Sequence, residues 1–417
     1  MGQIGRRGFV VTAAGVLAAL ATAGDAAAAP AVGRAGRRRH GPSREFRGMW
    51  LASVANRDWP SRPGLTAAEQ CAELLAHLDA AVARRLNVVV FQVRPTADAL
   101  WPSPYEPWSQ YLTGVQGQHP GWDPLGTAVR EAHRRGLELH AWFNPYRVAN
   151  HTDPSRLVAN HPARVHPDWV LPYGGKLYYN PGIPEVRSFV QRAMMDAVHR
   201  YDIDAVHFDD YFYPYPVAGQ VFDDDADYAR YGAGFPDKAA WRRDNIDRLV
   251  REMAERIKKA KKNVRFGISP FGVWRNAATD PLGSDTQAGV QTYDHLHADT
   301  RKWVKQGWID YIAPQIYWNI GFAAADYAKL LPWWNSVVRG TGVHLYAGEA
   351  LYKAGDPAQP APWRDPAELS RHLTLAREYT DVRGHCFFSA KEVMTDPVGA
   401  MARVVADHYP TRVRPPG

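Results

Sequence analysis

Two adjacent carboxylates, Asp209 and Asp210, are the residues best suited to chemistry in this 417-residue chain, and they directly follow the apolar run DAVHF. Two carboxyl groups so close together push their pKa values apart, because two neighbouring negative charges repel each other. One group then holds a proton while the other is ionised, and such a pair suits general acid–base catalysis. The alternative is a carboxylate pair that only caps a turn, but the segment that follows, YFYPYP, is not typical of a helix start.

A third candidate carboxylate is Glu349, in the run YAGEALYK. Its place in the alternation matches Leu345 and Ala347, so it reaches the same site only if its strand bulges. Metal chemistry is a weaker alternative, for which three histidines on different strands, His207, His344 and His385, could supply ligands. The acidic segment at 223–227 lacks the Gly and the distal Glu of a calcium-binding loop. We therefore expect catalysis by carboxylates, with no metal and no cofactor.

Eight predicted strand–helix units must position these residues. After Arg44, short β-branched or aromatic runs alternate with longer segments of helical periodicity, which is typical of βα units around a parallel sheet. The predicted strands begin at Phe46, Asn87, Leu137, Asp204, Val264, Ile309, Val343 and Gly384. The predicted helices span 66–84, 123–135, 184–200, 237–261, 293–305, 323–335, 366–379 and 396–407. The fold class is thus α/β, a (β/α)8 TIM barrel with long loops after strands two, three and four.

Alternation within each strand predicts which side chains meet at the mouth of the barrel. The more apolar set should face the helices and the other set the lumen. The lumen set comprises Gln92, Arg94, His140, Trp142, Asn144, His207, Asp209, Tyr311, Gln315, Tyr317, His344, Tyr346, His385 and Ser389. Its members at the C-terminal strand ends are Gln92, Arg94, Asn144, Asp209, Gln315 and Tyr317. A polar cluster at this face is typical of an active site.

Aromatic side chains crowd the predicted loops at the same face. The chain has 15 Trp and 20 Tyr against 14 Phe, a bias toward rings with a polar group that can cover sugar faces. Candidates for ring stacking are Trp50, Trp101, Trp108, Tyr213 and Trp318. We assign Trp50, Tyr146, Tyr211 and Trp318 to substrate binding, together with Gln92, Arg94, Asn144, Gln315 and Tyr317. Ordinary packing is the alternative for each ring.

The charge balance argues against nucleic acid as a partner. The net charge of +7 is concentrated near the two termini, in arginines such as Arg6, Arg7, Arg412 and Arg414, so the body is close to neutral. We expect a polysaccharide partner and a monomer. The two cysteines, Cys71 and Cys386, are expected to be free thiols rather than a disulfide.

The N-terminus predicts export. Arg6 and Arg7 precede an apolar stretch at 10–23 and a small-residue tract at 26–29, a pattern typical of a twin-arginine signal peptide. The predicted organisation is a signal peptide at 1–29, a flexible linker at 30–43, the barrel at 44–409 and a basic tail at 410–417. The protein should be secreted or associated with the cell envelope, without a stable membrane anchor after cleavage.

Four long motifs carry a resemblance to a known family. FRGMWLASVANRDWPS, FQVRPTADALWPSPYEPWS, HAWFNPYR and HFDDYFYPYP together resemble the glycosyl-hydrolase-like 10 family, and the resemblance runs from about residue 44 to 400. It implies a (β/α)8 glycoside hydrolase, with peptidoglycan strands, particularly those stripped of stem peptides, as the substrate class. In that case the polar mouth residues would bind sugar hydroxyls or hold the catalytic carboxylates. The alternatives are a non-catalytic glycan-binding barrel and a metal-dependent polysaccharide hydrolase.

Overall fold

Eight parallel strands close into a barrel in the computed structural model, which describes residues 44–417. The strands are β1 (Phe46–Leu51), β2 (Val88–Arg94), β3 (Glu138–Phe143), β4 (Ala205–Phe208), β5 (Arg265–Ile268), β6 (Tyr311–Ile312), β7 (His344–Glu349) and β8 (Val382–Phe388). Each strand pairs with its neighbours along the chain, and β8 pairs with β1 to close the ring. The predicted TIM barrel is confirmed. The predicted signal peptide and linker lie outside the described residues.

After each strand, one helix covers the outside of the barrel. These helices are α1 (Ala67–Ala83), α2 (Pro124–Arg134), α3 (Pro184–Arg200), α4 (Lys238–Ala260), α5 (Thr300–Lys305), α6 (Tyr327–Val338), α7 (Glu368–Ala376) and α8 (Ala400–His408). At the start of α1, Thr66 and Glu69 form a reciprocal capping box. Further helices lie in the connections, at Gln110–Thr113, Pro162–Val165, Asp225–Tyr231, Thr292–His295 and Ala390–Thr395.

Three predicted helices have different limits in the structure. The helix expected at 293–305 is interrupted, because His297 has a φ of +51° and Asp299 accepts a hydrogen bond from Lys302 N to start α5. The helix expected from residue 323 begins later, because the Asp326 side chain caps Ala328 N. The last helix begins at Ala400 rather than 396, after a 3-10 turn.

Two apolar clusters hold the barrel together. Outward-facing side chains such as Val89, Leu139 and Val206 pack under the helices, as the alternation predicts. A second cluster fills the lumen and includes Trp142 and Tyr311. Gly267 on β5 is required there, since a Cβ at this position would lie 1.9 Å from the Tyr311 ring. The lumen is therefore a packed core and not a channel.

The C-terminal segment, predicted as a basic tail outside the fold, lies against the N-terminal end of the barrel. Glu45 N donates to Arg414 O at 3.0 Å, and Asn87 Nδ2 donates to Val413 O at 3.0 Å. Arg265 Nη1 donates to Pro416 O at 2.9 Å. The prediction was wrong because a short basic segment shows no apolar pattern, while these contacts are made by its backbone carbonyls.

The long loop after β3 forms a small antiparallel sheet of its own. Its strands are Arg147–Ala149, Val170–Tyr173 and Lys176–Tyr179, and the last of these lies in the middle. Arg147 pairs with Tyr178, and this places its side chain beside the end of β3. Among residues 44–417, no helix has the length and apolar character needed to cross a membrane.

Candidate active site

Asp209 lies at the C-terminal mouth of the barrel, directly after β4, and its side chain is 5% exposed. Asn144 Nδ2 donates to Asp209 Oδ2 at 2.5 Å, and Tyr211 N donates to Asp209 Oδ1 at 3.1 Å. Both donors are neutral, so they orient the carboxyl group without fixing its charge. Asp209 and Asn144 are thus brought together as the strand alternation predicts.

The orientation of Asn144 is fixed by Gln92 on β2. Gln92 Nε2 donates to Asn144 Oδ1 at 2.6 Å, so the Asn144 amide nitrogen must face Asp209. Gln92 Oε1 in turn accepts from Ser53 N and Val54 N, each at 2.9 Å. The Gln92 side chain is fully buried. It therefore holds the acid pair indirectly and is not available to substrate.

Asp210 faces a second set of donors on the other side of the mouth. The Tyr215 hydroxyl donates to its Oδ2, and Gln315 Nε2 donates to its Oδ1 at 2.9 Å. Gln315 also donates to Ser269 O at 2.9 Å, which ties Asp210 to the end of β5. Asp210 is more exposed than Asp209. The predicted Gln315 thus holds a carboxylate.

Burial raises the pKa of both carboxyl groups. For Asp209, desolvation and the negative charge of Asp210 raise the pKa to about 7, against the smaller lowering effect of Arg147. For Asp210, desolvation raises the pKa, and the hydrogen bonds from Tyr215 and Gln315 oppose the shift. The pair can therefore hold one proton near neutral pH, as an acid–base site requires.

Two donors near the pair have no hydrogen-bond partner among residues 44–417. They are Trp142 Nε1 and Arg147 Nη2, on side chains that are each 6% exposed. Arg147 lies beside the Tyr211 ring, with its Cζ 5.1 Å from the ring centroid, and its Nε donates to Pro95 O at 3.0 Å. We did not assign Arg147 to the site from the sequence, although it ends the motif HAWFNPYR. The loop sheet that positions it was not predicted.

A column of polar side chains supports the mouth from inside the lumen. Trp50 Nε1 donates to His207 Nε2 at 3.1 Å, so His207 Nδ1 carries the proton and faces the Tyr311 hydroxyl at 2.9 Å. Burial holds the pKa of His207 well below its usual value, which keeps the ring neutral. Trp50 is 2% exposed. The prediction that Trp50 binds substrate was wrong, because its ring is buried in the lumen beneath the acid pair.

Arg94 and Tyr146 are also not available to a ligand. A bulge in β2 shifts the register after Gln92, so Arg94 pairs with the outward-facing Phe143. Arg94 is fully buried and forms a bidentate ion pair with Glu106, with nitrogen–oxygen distances of 2.7 and 2.5 Å. Its Nη1 donates to Asn144 O and Pro145 O, which stabilises the turn below the acid pair. Tyr146 is fully buried in the outer core.

Glu349 lies outside the barrel lumen, between β7 and the helices. Its carboxylate accepts from Tyr327 at 2.7 Å and contacts nitrogens of His372 at 2.8 Å and His385 at 2.9 Å. These contacts overcome desolvation and lower the pKa of Glu349 to about 2. β7 does not bulge inward at this position, so the structure does not bring Glu349 to the mouth as a catalytic carboxylate.

The strand alternation predicted for β8 was wrong. Leu345 and Ala347 on β7 pair with Val382 and His385 on β8, so three steps on β8 match two on β7. Gly384 lies within this bulge, and a Cβ there would be 1.9 Å from Phe46 O. His385 therefore faces outward and Cys386 inward. The Ser389 side chain also lies outside the lumen, and its hydroxyl donates to Asp58 Oδ1 at 2.5 Å.

Partly exposed aromatic residues at the mouth include Tyr211, Tyr215, Tyr317 and Trp318. Tyr211 and Tyr215 lie 5.4 Å apart over the acid pair, while Trp318 packs edge-on against Phe271 at 5.4 Å. Three of the four, Tyr211, Tyr317 and Trp318, are predicted substrate-binding residues. Trp101 and Tyr213 are buried, whereas Trp108 is half-buried elsewhere in the long loop after β2.

The three histidines of the metal alternative do not meet. His207 lies in the lumen, His344 contacts the Tyr346 hydroxyl at 3.1 Å near the opposite end, and His385 lies outside. Across residues 44–417, no cluster of three or more His, Cys, Asp or Glu side chains is arranged to hold a metal ion. Cys71 and Cys386 are free thiols, on α1 and in the lumen.

Comparison with known proteins decides the family. Residues 45–365 match the family described as Glycosyl hydrolase-like 10. The chain belongs to this family.

Among relatives of this family member, the glycosyl hydrolase YngK of Bacillus subtilis (strain 168) is 54% identical over 368 residues, covering 88% of this chain and 72% of YngK. The glycosyl hydrolase DigH of Escherichia coli (strain K12) is 43% identical over 366 residues, covering 83% of each protein. Among solved structures, the glycoside hydrolase domain of PgaB from Bordetella bronchiseptica has a TM-score of 0.53 at 12% identity, covering 88% of this chain and 99% of that domain. Its identity is low, so it supports the fold alone.

Proposed function

We propose that this protein hydrolyses glycosidic bonds in a cell-envelope polysaccharide, with peptidoglycan strands as the substrate and Asp209 and Asp210 as the catalytic carboxylates. The observation that carries the proposal is the buried acid pair at the C-terminal mouth, with the pKa of Asp209 raised to about 7. Active sites of barrel enzymes lie at this face. Membership of a glycosyl hydrolase-like family adds support for the reaction class.

The pKa shifts suggest a division of roles within the pair. Asp210 accepts one hydrogen bond on each oxygen, from Tyr215 and Gln315, and both favour its ionised form. Asp209 has the pKa raised to about 7 and is the better proton donor at neutral pH. In this proposal Asp209 protonates the leaving oxygen, and Asp210 stabilises positive charge near the anomeric carbon.

The step that breaks the glycosidic bond needs a nucleophile, and Glu349 lies outside the lumen, where it cannot supply one. An acetamido group on the substrate can take this role. Its carbonyl oxygen attacks the anomeric carbon as the C–O bond breaks, while Asp210 accepts its N–H and Asp209 gives its proton to the leaving oxygen. Water then attacks the cyclic intermediate and returns a proton to Asp209, so the enzyme regains its starting state. Peptidoglycan sugars carry such acetamido groups.

The reaction is tested with two glycosides of one acetamido sugar, which differ only in the leaving group. Asp209→Asn should lose at least ~100-fold in turnover of the glycoside with a sugar leaving group. It should lose much less with a dinitrophenolate leaving group, which needs no proton. Asp210→Asn should be impaired on both substrates, because stabilisation of the anomeric centre is required in each case.

The control for this experiment is Gln306→Ala on the exposed end of α5, a change that should leave both rates unaltered. Binding of stripped peptidoglycan oligomers without any turnover by the unmodified protein would contradict the proposal and favour a glycan-binding barrel. Loss of activity with a chelator, restored by a metal ion, would favour the metal-dependent alternative instead.

We also propose that the protein acts outside the cytoplasm, as a monomer. The support is the sequence pattern around Arg6 and Arg7 and the apolar stretch at 10–23. Changing both arginines to lysine should leave the precursor in the cytoplasm. Undiminished mature protein outside the cell would contradict twin-arginine export.

A further inference from the structure

Six arginines surround the C-terminal segment, at the end of the barrel opposite the mouth. They lie just before β1 and β2, at the start of β8, after α7 and in the segment itself: Arg44, Arg85, Arg383, Arg377, Arg412 and Arg414. Because β8, β1 and β2 are neighbours in the ring, the six arginines lie on one surface, which we call the tail face. Five of them are exposed, and Arg85 is partly exposed.

The positive charges of the tail face are not balanced by ion pairs. Arg44 Nη1 donates to Pro415 O at 3.3 Å, and Arg412 Nη2 donates to Arg135 O at 2.8 Å. Two further arginines of the face also donate to backbone carbonyls. A carbonyl oxygen carries no net charge, so these hydrogen bonds orient the guanidinium groups without neutralising them. Among residues 44–417, none of the six arginines is within 4 Å of a carboxylate oxygen.

Carboxylates at the same end of the barrel are largely occupied by other arginines. Asp381 pairs with Arg339 at 3.7 Å, and Asp407 pairs with Arg403 at 2.6 Å. Glu378 is exposed and offsets one of the six charges. The tail face therefore retains an excess of positive charge.

Two histidines near the face show the effect of this charge. Burial and then the charge of Arg383 lower the pKa of His344. Burial and then the charge of Arg377 lower the pKa of His408 to about 4. In each case the nearby carboxylate has a smaller, opposing effect on the pKa. The electrostatic potential at this end of the barrel is therefore positive.

Stabilisation of helix ends does not account for the tail face. A cation in or after the last turn stabilises a helix, and Lys258 and Lys259 at the end of α4 fit that role. Arg44, Arg383 and Arg412 lie in no helix, so this explanation does not apply to them. Like charges held on one surface repel each other and oppose folding, and an anionic partner would remove that repulsion.

We propose that the tail face binds the anionic headgroups of a phospholipid membrane and so holds the barrel with its mouth away from the bilayer. Guanidinium groups bind phosphate through paired nitrogens. Each basic side chain close to an anionic lipid surface adds to the attraction. This inference goes beyond the proposed function, because it assigns a partner to the surface opposite the catalytic one.

The path of the chain favours a membrane over a soluble polyanion. Arg44 pairs with Arg414, so the chain enters the fold at the tail face. The sequence before it carries four more arginines, Arg34, Arg37, Arg38 and Arg39, and the apolar stretch at 10–23. The segment proposed to direct export through a membrane is thus joined to the chain at this face.

The test measures binding of the protein to two kinds of vesicle by sedimentation. One kind is phosphatidylcholine alone, and the other contains an equal part of phosphatidylglycerol. The protein should bind the anionic vesicles ~10-fold or more tightly than the neutral ones, and this preference should shrink as salt rises from ~0.05 to ~0.5 M, because salt screens the attraction. Equal affinity for the two kinds of vesicle at low salt would overturn the inference.

Arg412→Gln combined with Arg414→Gln removes two charges from the face and retains the backbone hydrogen bonds of the segment. Affinity for the anionic vesicles should fall by ~10-fold or more, since each basic side chain contributes about 5-fold. Arg383→Gln should weaken binding by about 5-fold, and because it lies on β8 it separates loss of charge from altered packing of the segment. Unchanged affinity in these variants would contradict the proposal.

The matched control is Arg62→Gln combined with Arg156→Gln, which removes two exposed arginines from the connections after β1 and β3, at the mouth. This double variant has the same net charge as the tail-face double variant, yet it should bind anionic vesicles like the unmodified protein. Equal losses in the two would show that net charge alone drives binding, and would overturn the inference.

A soluble polyphosphate chain distinguishes a membrane from a phosphate polymer. Tighter binding to polyphosphate than to the anionic vesicles, at equal phosphate concentration, would overturn the membrane assignment. Vesicle binding does not involve the acid pair, so Asp209→Asn protein should bind like the unmodified protein. The result is therefore independent of whether the proposed hydrolysis is observed.

Discussion

Asp209 and Glu349 are both buried carboxyl groups at the C-terminal ends of barrel strands, on β4 and β7, which are separated by β5 and β6. Asp209 receives its hydrogen bonds from neutral groups, an amide side chain and a backbone N–H. Glu349 contacts two histidines and a tyrosine. The pKa of Asp209 is raised to about 7, and that of Glu349 is lowered to about 2. Because the two carboxyl groups are similarly buried, the charges of the neighbouring side chains decide the direction in which each pKa is shifted.

The two regions differ in what their carboxyl groups can do. Asp209 can release and regain a proton near neutral pH, which is the requirement for an acid catalyst. Glu349 is a fixed charge, and it connects β7 to β8 through His385 and to α6 and α7 through Tyr327 and His372. The comparison therefore separates a carboxyl group suited to chemistry from one that stabilises the fold.

The largest effect is expected from removing the proposed proton donor at the mouth. Asp209→Asn keeps the size of the side chain, so the fold should survive while turnover of stripped peptidoglycan falls by at least ~100-fold. Turnover is followed by release of reducing ends, and the melting temperature is measured beside it. Near-normal turnover in both Asp209→Asn and Asp210→Asn would contradict the catalytic role proposed for the carboxyl groups at the mouth.

Glu349→Gln should have the opposite outcome. It removes the nearer carboxylate partner of the buried His372 and leaves only Glu368 at 3.3 Å, and breaking a buried ion pair costs about 3–5 kcal/mol. The melting temperature should fall by several degrees, with kcat of the folded protein largely retained. Glu252→Gln is the control, because Glu252 is the partly exposed ion-pair partner of Arg187. This change should lower the melting temperature much less. A stable but inactive Glu349→Gln protein would contradict the structural role.

The pH profile of kcat/KM sharpens the comparison further. Activity requires the protonated acid, so it should decline as pH rises through about 7. The hydrogen bond from Asn144 lowers the pKa of Asp209, so Asn144→Ala should move this decline to higher pH and reduce the plateau by ~10-fold. A decline that stays at the same pH would show that another group controls it.

The smallest effect concerns stability in acid. The pKa of Glu349 is lowered from 4.5 to about 2, so its stabilising contribution is present above about 4.5 and is lost as pH falls toward 2. Asp209 has the opposite sign, since a raised pKa gives a contribution that is lost as pH rises from 3.8 through about 7. Thermal melts from pH 6 to 3 should show a shallower decline in Glu349→Gln than in the unmodified protein. Parallel curves would assign the acid loss to other groups.

The sequence was sufficient for the barrel and for the central pair of the site. Strand alternation correctly places Asn144 beside Asp209, because β3 and β4 are regular and each has a clear apolar side. It fails at Arg94 and His385, because one extra residue in a bulge turns every later side chain to the other face. The run CFF in β8 is apolar at every position, so its local pattern does not reveal the shift.

Arg147 could not be placed from its own strand pattern. It belongs to a three-residue strand in a long loop, and its position depends on pairing with Tyr178, which lies 31 residues later. Among residues 44–417, no carboxylate forms an ion pair with Arg147. Such an absence is visible only when the surrounding side chains have been placed.

The pairing of Glu45 with Arg414 has a consequence for engineering of the chain. Because residues 44–45 and 411–416 lie side by side beneath the barrel, a short peptide could join them without disturbing the strands. New termini could then be opened in a surface connection, giving a circular permutant with the same eight-stranded ring. Cutting the chain after residue 409 is the opposite manipulation, and it would leave Glu45 N and Asn87 Nδ2 without these acceptors.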